Sequence, residues 1–131
     1  MKVKRNWILK NIHLIVSVSI VLPTAIIYGS PTILQEQLNI HVNTIDLANM
    51  LKAIMSLYLG VSLVWILGIL RSEYWVRATQ LNVLFMLTLA TGRCLSMFIE
   101  GMPSGGYVFA VIAELILGLF SMHQLRIYNI K

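Results

Sequence analysis

The sequence predicts an all-α integral membrane protein, a four-helix bundle running up-down-up-down with both termini cytoplasmic. Three observations predict it. Apolar residues make up 58% of the 131-residue chain and charged residues only 11%, against about 45–50% and about 25% in a soluble domain. The apolar residues gather into four runs, each long enough to cross a hydrocarbon layer of about 30 Å, which leaves short connections and one domain over residues 1–131. Finally, the cations are one-sided. Lys2, Lys4, Arg5 and Lys10 precede the first run, Arg71 and Arg77 lie between the second and third, Arg126 and Lys131 follow the fourth, and the other two loops hold none. Lys and Arg concentrate on the cytoplasmic side of an inner membrane, so both chain ends and the middle turn are expected there.

The first span is expected over about residues 8–28. Its basic start imitates a signal peptide, but the run is long and Pro23-Thr24-Ala25 is a poor cleavage site, so it is read as a retained span. Pro23 should kink its outer half, with the Ser19 hydroxyl helping the disturbed backbone. Residues 31–40 set Ile33, Leu34, Leu38 and Ile40 among polar neighbours, the pattern of a short amphipathic helix on the outer surface. The second span covers about residues 47–70, capped by Asp46 or Asn43, with Ser56, Gly60 and Gly68 as small residues for close helix approach. Arg71 to Arg77 forms a tight turn in which Tyr74 and Trp75 are placed as interfacial anchors. The third span, about 78–99, is broken by Gly-Met-Pro-Ser-Gly-Gly from Gly101, and the fourth runs over about 107–123. Cys94, the single cysteine, is a small packing residue.

Apart from the flanking cations, four charges fall within or at the ends of spans: Lys52, Arg93, Glu100 and Glu114. Charge in hydrocarbon is expensive, so such residues mark sites. At 1.5 Å per residue, Lys52 lies about one turn below the outer surface, Glu100 at the rim, and Arg93 and Glu114 each roughly 10 Å deep. Arg93, Ser96 and Glu100 share a helix face by spacing, as do Tyr107, Glu114 and Ser121. An Arg93 to Glu114 contact is therefore expected as the deepest pair, with Lys52 close to Glu100 or Glu114 and the Tyr58 hydroxyl in the same region. Such a cluster is either a closed ion network that fixes helix register or a ligand-binding pocket, for which Ala53, Ser56, Gly92, Ser96 and Ala110 would provide room.

Other chemistries find no support. His13, His41 and His123 are too scattered for a metal site, no cofactor motif is present, and no nucleophile, P-loop or phosphate cradle appears. The net charge of +5 is spread along the cytoplasmic rim without a basic stripe, so membrane lipids rather than nucleic acid are the expected counter-charge.

The runs KAIMSLYLGVSLVWILGILR from Lys52, then LFMLTLATGRCLSMFIEGMPS, then AELILGL resemble a bacterial membrane family known as domain of unknown function 4345. The most specific part is Gly-Arg-x-x-Ser followed by an acidic residue, Gly and Pro-Ser. The resemblance implies a small four-helix membrane protein without an assigned reaction, and family-like positions at Arg93, Glu100, Gly101, Pro103 and Glu114; with the cation pattern, the expected location is the bacterial inner membrane. Similar sequences often carry Arg where this chain has Lys52, which keeps the charge but loses bidentate geometry. The expected function is non-enzymatic: binding of a small amphipathic ligand or a partner membrane protein, as an accessory subunit, through the charged cluster. The alternative is an oligomeric proton-coupled or ion-coupled transporter using Glu114, and an enzyme acting on lipid through Glu100 or Glu114 is the least favoured.

Overall fold

The computed structural model describes residues 2–128, with side chains from residue 6 onward. Lys131 and the side chains of Lys2, Lys4 and Arg5, counted above among the flanking cations, lie outside that description. Five α-helices follow one another: α1 (Lys2–Gly29), α2 (Pro31–Leu38), α3 (Ile45–Leu70), α4 (Trp75–Glu100) and α5 (Gly105–Tyr128), with one 3₁₀ turn at Ser72–Tyr74. Four of them are long and apolar enough to cross a membrane. The fifth, α2, occupies the expected amphipathic segment but stops at Leu38, where Asn39 turns left-handed at φ 53° and its N–H closes on the Gln35 carbonyl at 3.0 Å.

The helices outrun the apolar runs because hydrogen bonding continues through polar flanks. Thus α5 takes in Gln124 and Arg126 beyond the expected end at 123. Thr44, rather than Asp46 or Asn43, caps α3: its backbone is extended at ψ 152° and its hydroxyl accepts the Leu47 N–H at 3.1 Å, while Asp46 sits in the first turn. Thr44→Ala is expected to cost about 1 kcal/mol at this end, read as faster amide exchange at Leu47, whereas Thr44→Ser should leave exchange unchanged. α1 runs unbroken through Pro23. The carbonyl freed by that proline is Ser19's own, which the Ser19 hydroxyl does not serve; it donates instead to the Ile15 carbonyl one turn back, at 2.8 Å.

The long helices form a ring in the order α1, α3, α4, α5, each antiparallel to the next. α1 packs closely on α3 and α4 on α5, a tight turn joins α3 to α4, and the seam between α5 and α1 is the loosest. Glycine sets two of the close approaches. A Cβ on Gly68 would lie 2.3 Å from the Ala78 Cβ, and one on Gly118 would lie 2.6 Å from a Leu87 methyl. Of the small residues expected to bring α3 close to its neighbours, only Gly68 does so. Gly60 lies about 80° around the helix from it and meets nothing within 4 Å, and Ser56 is exposed.

The core stacks Leu14, Val21, Tyr58, Trp65, Phe85, Met86 and Leu117. Phe85 lies edge-on to both Tyr58 and Trp65, with centroids 5.2 and 5.4 Å away. Trp75, expected as an interfacial anchor, is instead 2% exposed. The Gly68–Ala78 contact draws the start of α4 against α3, so Trp75 is enclosed with His13 at 5.9 Å and Tyr128 at 6.0 Å, under the Lys10 ammonium at 4.6 Å. Large apolar side chains also cover the outside, among them Leu57, Leu63, Leu84, Phe98, Phe109 and Ile116. Helices apolar all round need apolar surroundings on both faces.

Candidate functional site

The antiparallel α4 and α5 are joined by the short Gly101–Ser104 connection, so residues at similar distances from it along the chain meet at nearly one level. Arg93 and Glu114 do so. The Arg93 Nε–H donates to both carboxylate oxygens of Glu114, at 3.0 Å and 3.2 Å, and the two side chains keep 21% and 12% of their surface exposed. Because Glu114 is engaged through Nε alone, it does not occupy the terminal Nη groups. The guanidinium also lies 5.5 Å from the centre of the Tyr107 ring. Tyr58 enters from α3 and Tyr28 from α1, their rings edge-on at 5.7 Å.

A cavity of about 180 Å³ opens beside this pair at the loose α1/α5 seam. Its wall is apolar, with Val21, Met86, Leu89 and Leu117 among its members, and its polar groups are Thr24, Tyr58, Arg93 and Glu114. Through Ile20, Phe109, Ala113 and Leu117 it continues into a wholly apolar groove reaching Val16 and Ile116. Arg93 lines two further hollows: one of about 210 Å³ toward α2, with Tyr28, Leu38, Ser104 and Tyr107, and one of about 270 Å³ with Ser96, Pro103 and Tyr107. Arg93 thus stands where an apolar cleft meets a polar mouth.

The expected cluster is only half assembled. Arg93, Glu114 and Tyr58 come together, and Ser96 lines the adjoining hollow at the rim. Lys52 does not join them. It lies about 120° around α3 from the inward-facing Tyr58, and its ammonium donates to the Gly29 carbonyl at 3.1 Å, at the electronegative end of α1. Glu100 shares a face with Arg93 but is the last residue of α4, about 10 Å along the helix from it, and is exposed. Of the small residues expected to give room, Ala110 lines the cavity, whereas Ala53, Ser56 and Gly92 are exposed on outer faces. Besides Arg93–Glu114, the described residues hold one ion pair, Arg71–Glu73 at 3.7 Å, whose partners are 67% and 65% exposed and contribute little.

A second polar group escaped the sequence reading. Nearer the Ser72–Tyr74 turn, His13, Ser17, Ser62, Thr79, Asn82 and Ser121 are all fully buried. Their signal was present as helical spacing, four residues on α1 and three on α4, but weakly polar side chains do not interrupt an apolar run.

No curated protein and no solved structure matches the chain. The family described as Domain of unknown function (DUF4345) matches residues 9–124, from the first turns of α1 almost to the end of α5. That stretch takes in every residue of the Arg93 site, and the chain belongs to this family.

Proposed function

We propose that the chain crosses a bacterial inner membrane four times, with its termini and the Ser72–Tyr74 turn cytoplasmic, and holds a small amphipathic molecule with its polar head at Arg93 and its tail in the α1/α5 cleft. Insertion is supported by four helices of sufficient length and apolarity and by an apolar exterior. Orientation is supported by the cations at the turn end, set against Glu36, Asp46, Glu100 and Glu114 toward the other. The observation that carries ligand binding is the cleft itself, an apolar wall closed at one end by a guanidinium and open at the side. In the adjoining hollow toward α2, the Arg93 guanidinium and the Tyr28, Tyr107 and Ser104 hydroxyls offer donors that suit a head accepting hydrogen bonds. The role is binding rather than catalysis.

The test is purification in native lipid discs followed by mass spectrometry of extracted small molecules. A compound retained at constant ratio by the wild type should fall about tenfold in Arg93→Gln, equivalent to one charge-assisted hydrogen bond of about 1.5 kcal/mol. It should also fall in Ala113→Phe, which fills the cleft and leaves the ion pair intact. Equal retention in both folded variants would remove the proposal. A protein copurifying at constant ratio and lost in the same variants would assign the cleft to a partner subunit instead.

A further inference from the structure

The buried layer near the turn end carries a site of its own. His13 and Ser17 from α1, Ser62 and Trp65 from α3, Thr79 and Asn82 from α4, and Ser121 from α5 lie at similar levels along their helices, each fully buried. Some of their hydrogen bonds are closed. Thr79 donates its hydroxyl to the Trp75 carbonyl at 2.8 Å, and Ser121 donates to the Leu117 carbonyl at 2.6 Å. Asn82 donates its amide N–H to the Ser121 oxygen at 2.8 Å.

These bonds dictate what remains. Since the Thr79 hydrogen is already committed, the 3.1 Å contact between His13 Nε2 and Thr79 Oγ1 has His13 as donor, and the imidazole's Nδ1 becomes an acceptor. Since Asn82 donates to Ser121, its Oδ1 is likewise an acceptor. Both lack a protein partner, as do the Trp65 and Trp75 indole N–H groups and the Ser17 and Ser62 hydroxyls. Each unpaired buried group carries a desolvation penalty, and apolar surroundings offer nothing in exchange. The two serines can turn to a carbonyl one helical turn back. His13 Nδ1, Asn82 Oδ1 and Trp65 N–H have no such local option, and they sit on three different helices. What satisfies them must both donate and accept, and must be small enough for a close-packed interior.

We propose that this layer is a site for bound water, which accepts from Trp65 Nε1–H and donates to Asn82 Oδ1 and His13 Nδ1. Buried Phe85, Met86 and Leu117 lie between it and Glu114, so the site is separate from the Arg93 cleft and independent of any ligand there. Asn11 and Gln124, also buried with unpaired side-chain oxygens, continue the polar lining toward the turn end.

The experiment is nuclear magnetic resonance of the full chain labelled with ¹⁵N-tryptophan in lipid discs, the Trp65 indole signal being assigned by its loss in Trp65→Phe. Magnetisation transfer from water to the Trp65 indole proton is expected in the wild type, and its loss in Asn82→Leu. Absence of transfer in the wild type overturns the proposal, as does undiminished transfer in a folded Asn82→Leu chain. Should that variant fail to fold, pulsed hydroxyl-radical labelling of the wild type decides: oxidation at enclosed Trp65 supports resident water, and an unoxidised Trp65 beside oxidised exposed residues refutes it.

Discussion

Glu114→Leu is expected to destabilise the bundle by about 3 kcal/mol, because it leaves the Arg93 guanidinium mostly enclosed without a counter-charge. Arg93→Met should cost a similar amount for the mirror reason. The informative chain is the double variant. Replacing a buried ion pair with apolar side chains of similar volume is neutral or stabilising in other proteins, so Arg93→Met with Glu114→Leu should recover most of either single loss. Reversible unfolding in mixed micelles measures all four corners of this cycle, and a coupling of about 2 kcal/mol or more is expected. If the two losses simply add, the pair is not the unit described. The double variant also separates stability from the proposed binding, since it should fold well and still lose any small molecule held at Arg93.

Gly68→Ala is expected to be the most damaging single methyl addition on α3. The new carbon would lie 2.3 Å from the Ala78 Cβ, whereas unbonded carbons rest at about 3.5–4.0 Å. Neither atom ends a flexible chain, so α3 and α4 must part, which costs about 1–3 kcal/mol less any gain in helix propensity. At about 4 °C per kcal/mol, melting should fall by several degrees, and further in Gly68→Leu. Ala78→Gly in the same chain should restore Gly68→Ala. Gly60→Ala is the matched control, since a Cβ there meets nothing within 4 Å, and it should be neutral or slightly stabilising. Equal melting of the Gly68 and Gly60 variants would contradict the close packing described.

The four long helices were legible because apolar length is a property of the chain read along its length. The Arg93–Glu114 pair was legible because depth can be counted from the α4–α5 connection. What failed was orientation around the helix axis. Lys52 has the right depth and the wrong azimuth, and Glu100 has the right azimuth but sits at the exposed end of its helix. Trp75 was misjudged because an aromatic residue beside a turn suits an interface or a core equally well, and the Gly68–Ala78 contact across two helices decides which. The cleft depends on how loosely α1 meets α5, a property of tertiary packing that no single segment encodes. The buried polar layer was missed because Ser, Thr and Asn vanish within runs whose average remains strongly apolar.

The loose α1/α5 seam also bears on how a ligand would be measured. In a bundle seated in lipid, the seam faces the bilayer and not the aqueous phase, so a guest would arrive by diffusion within the plane of the membrane. Occupancy would then follow the guest's mole fraction among the lipids. Diluting the buffer would leave binding untouched, while diluting the bilayer with plain phospholipid would empty the cleft.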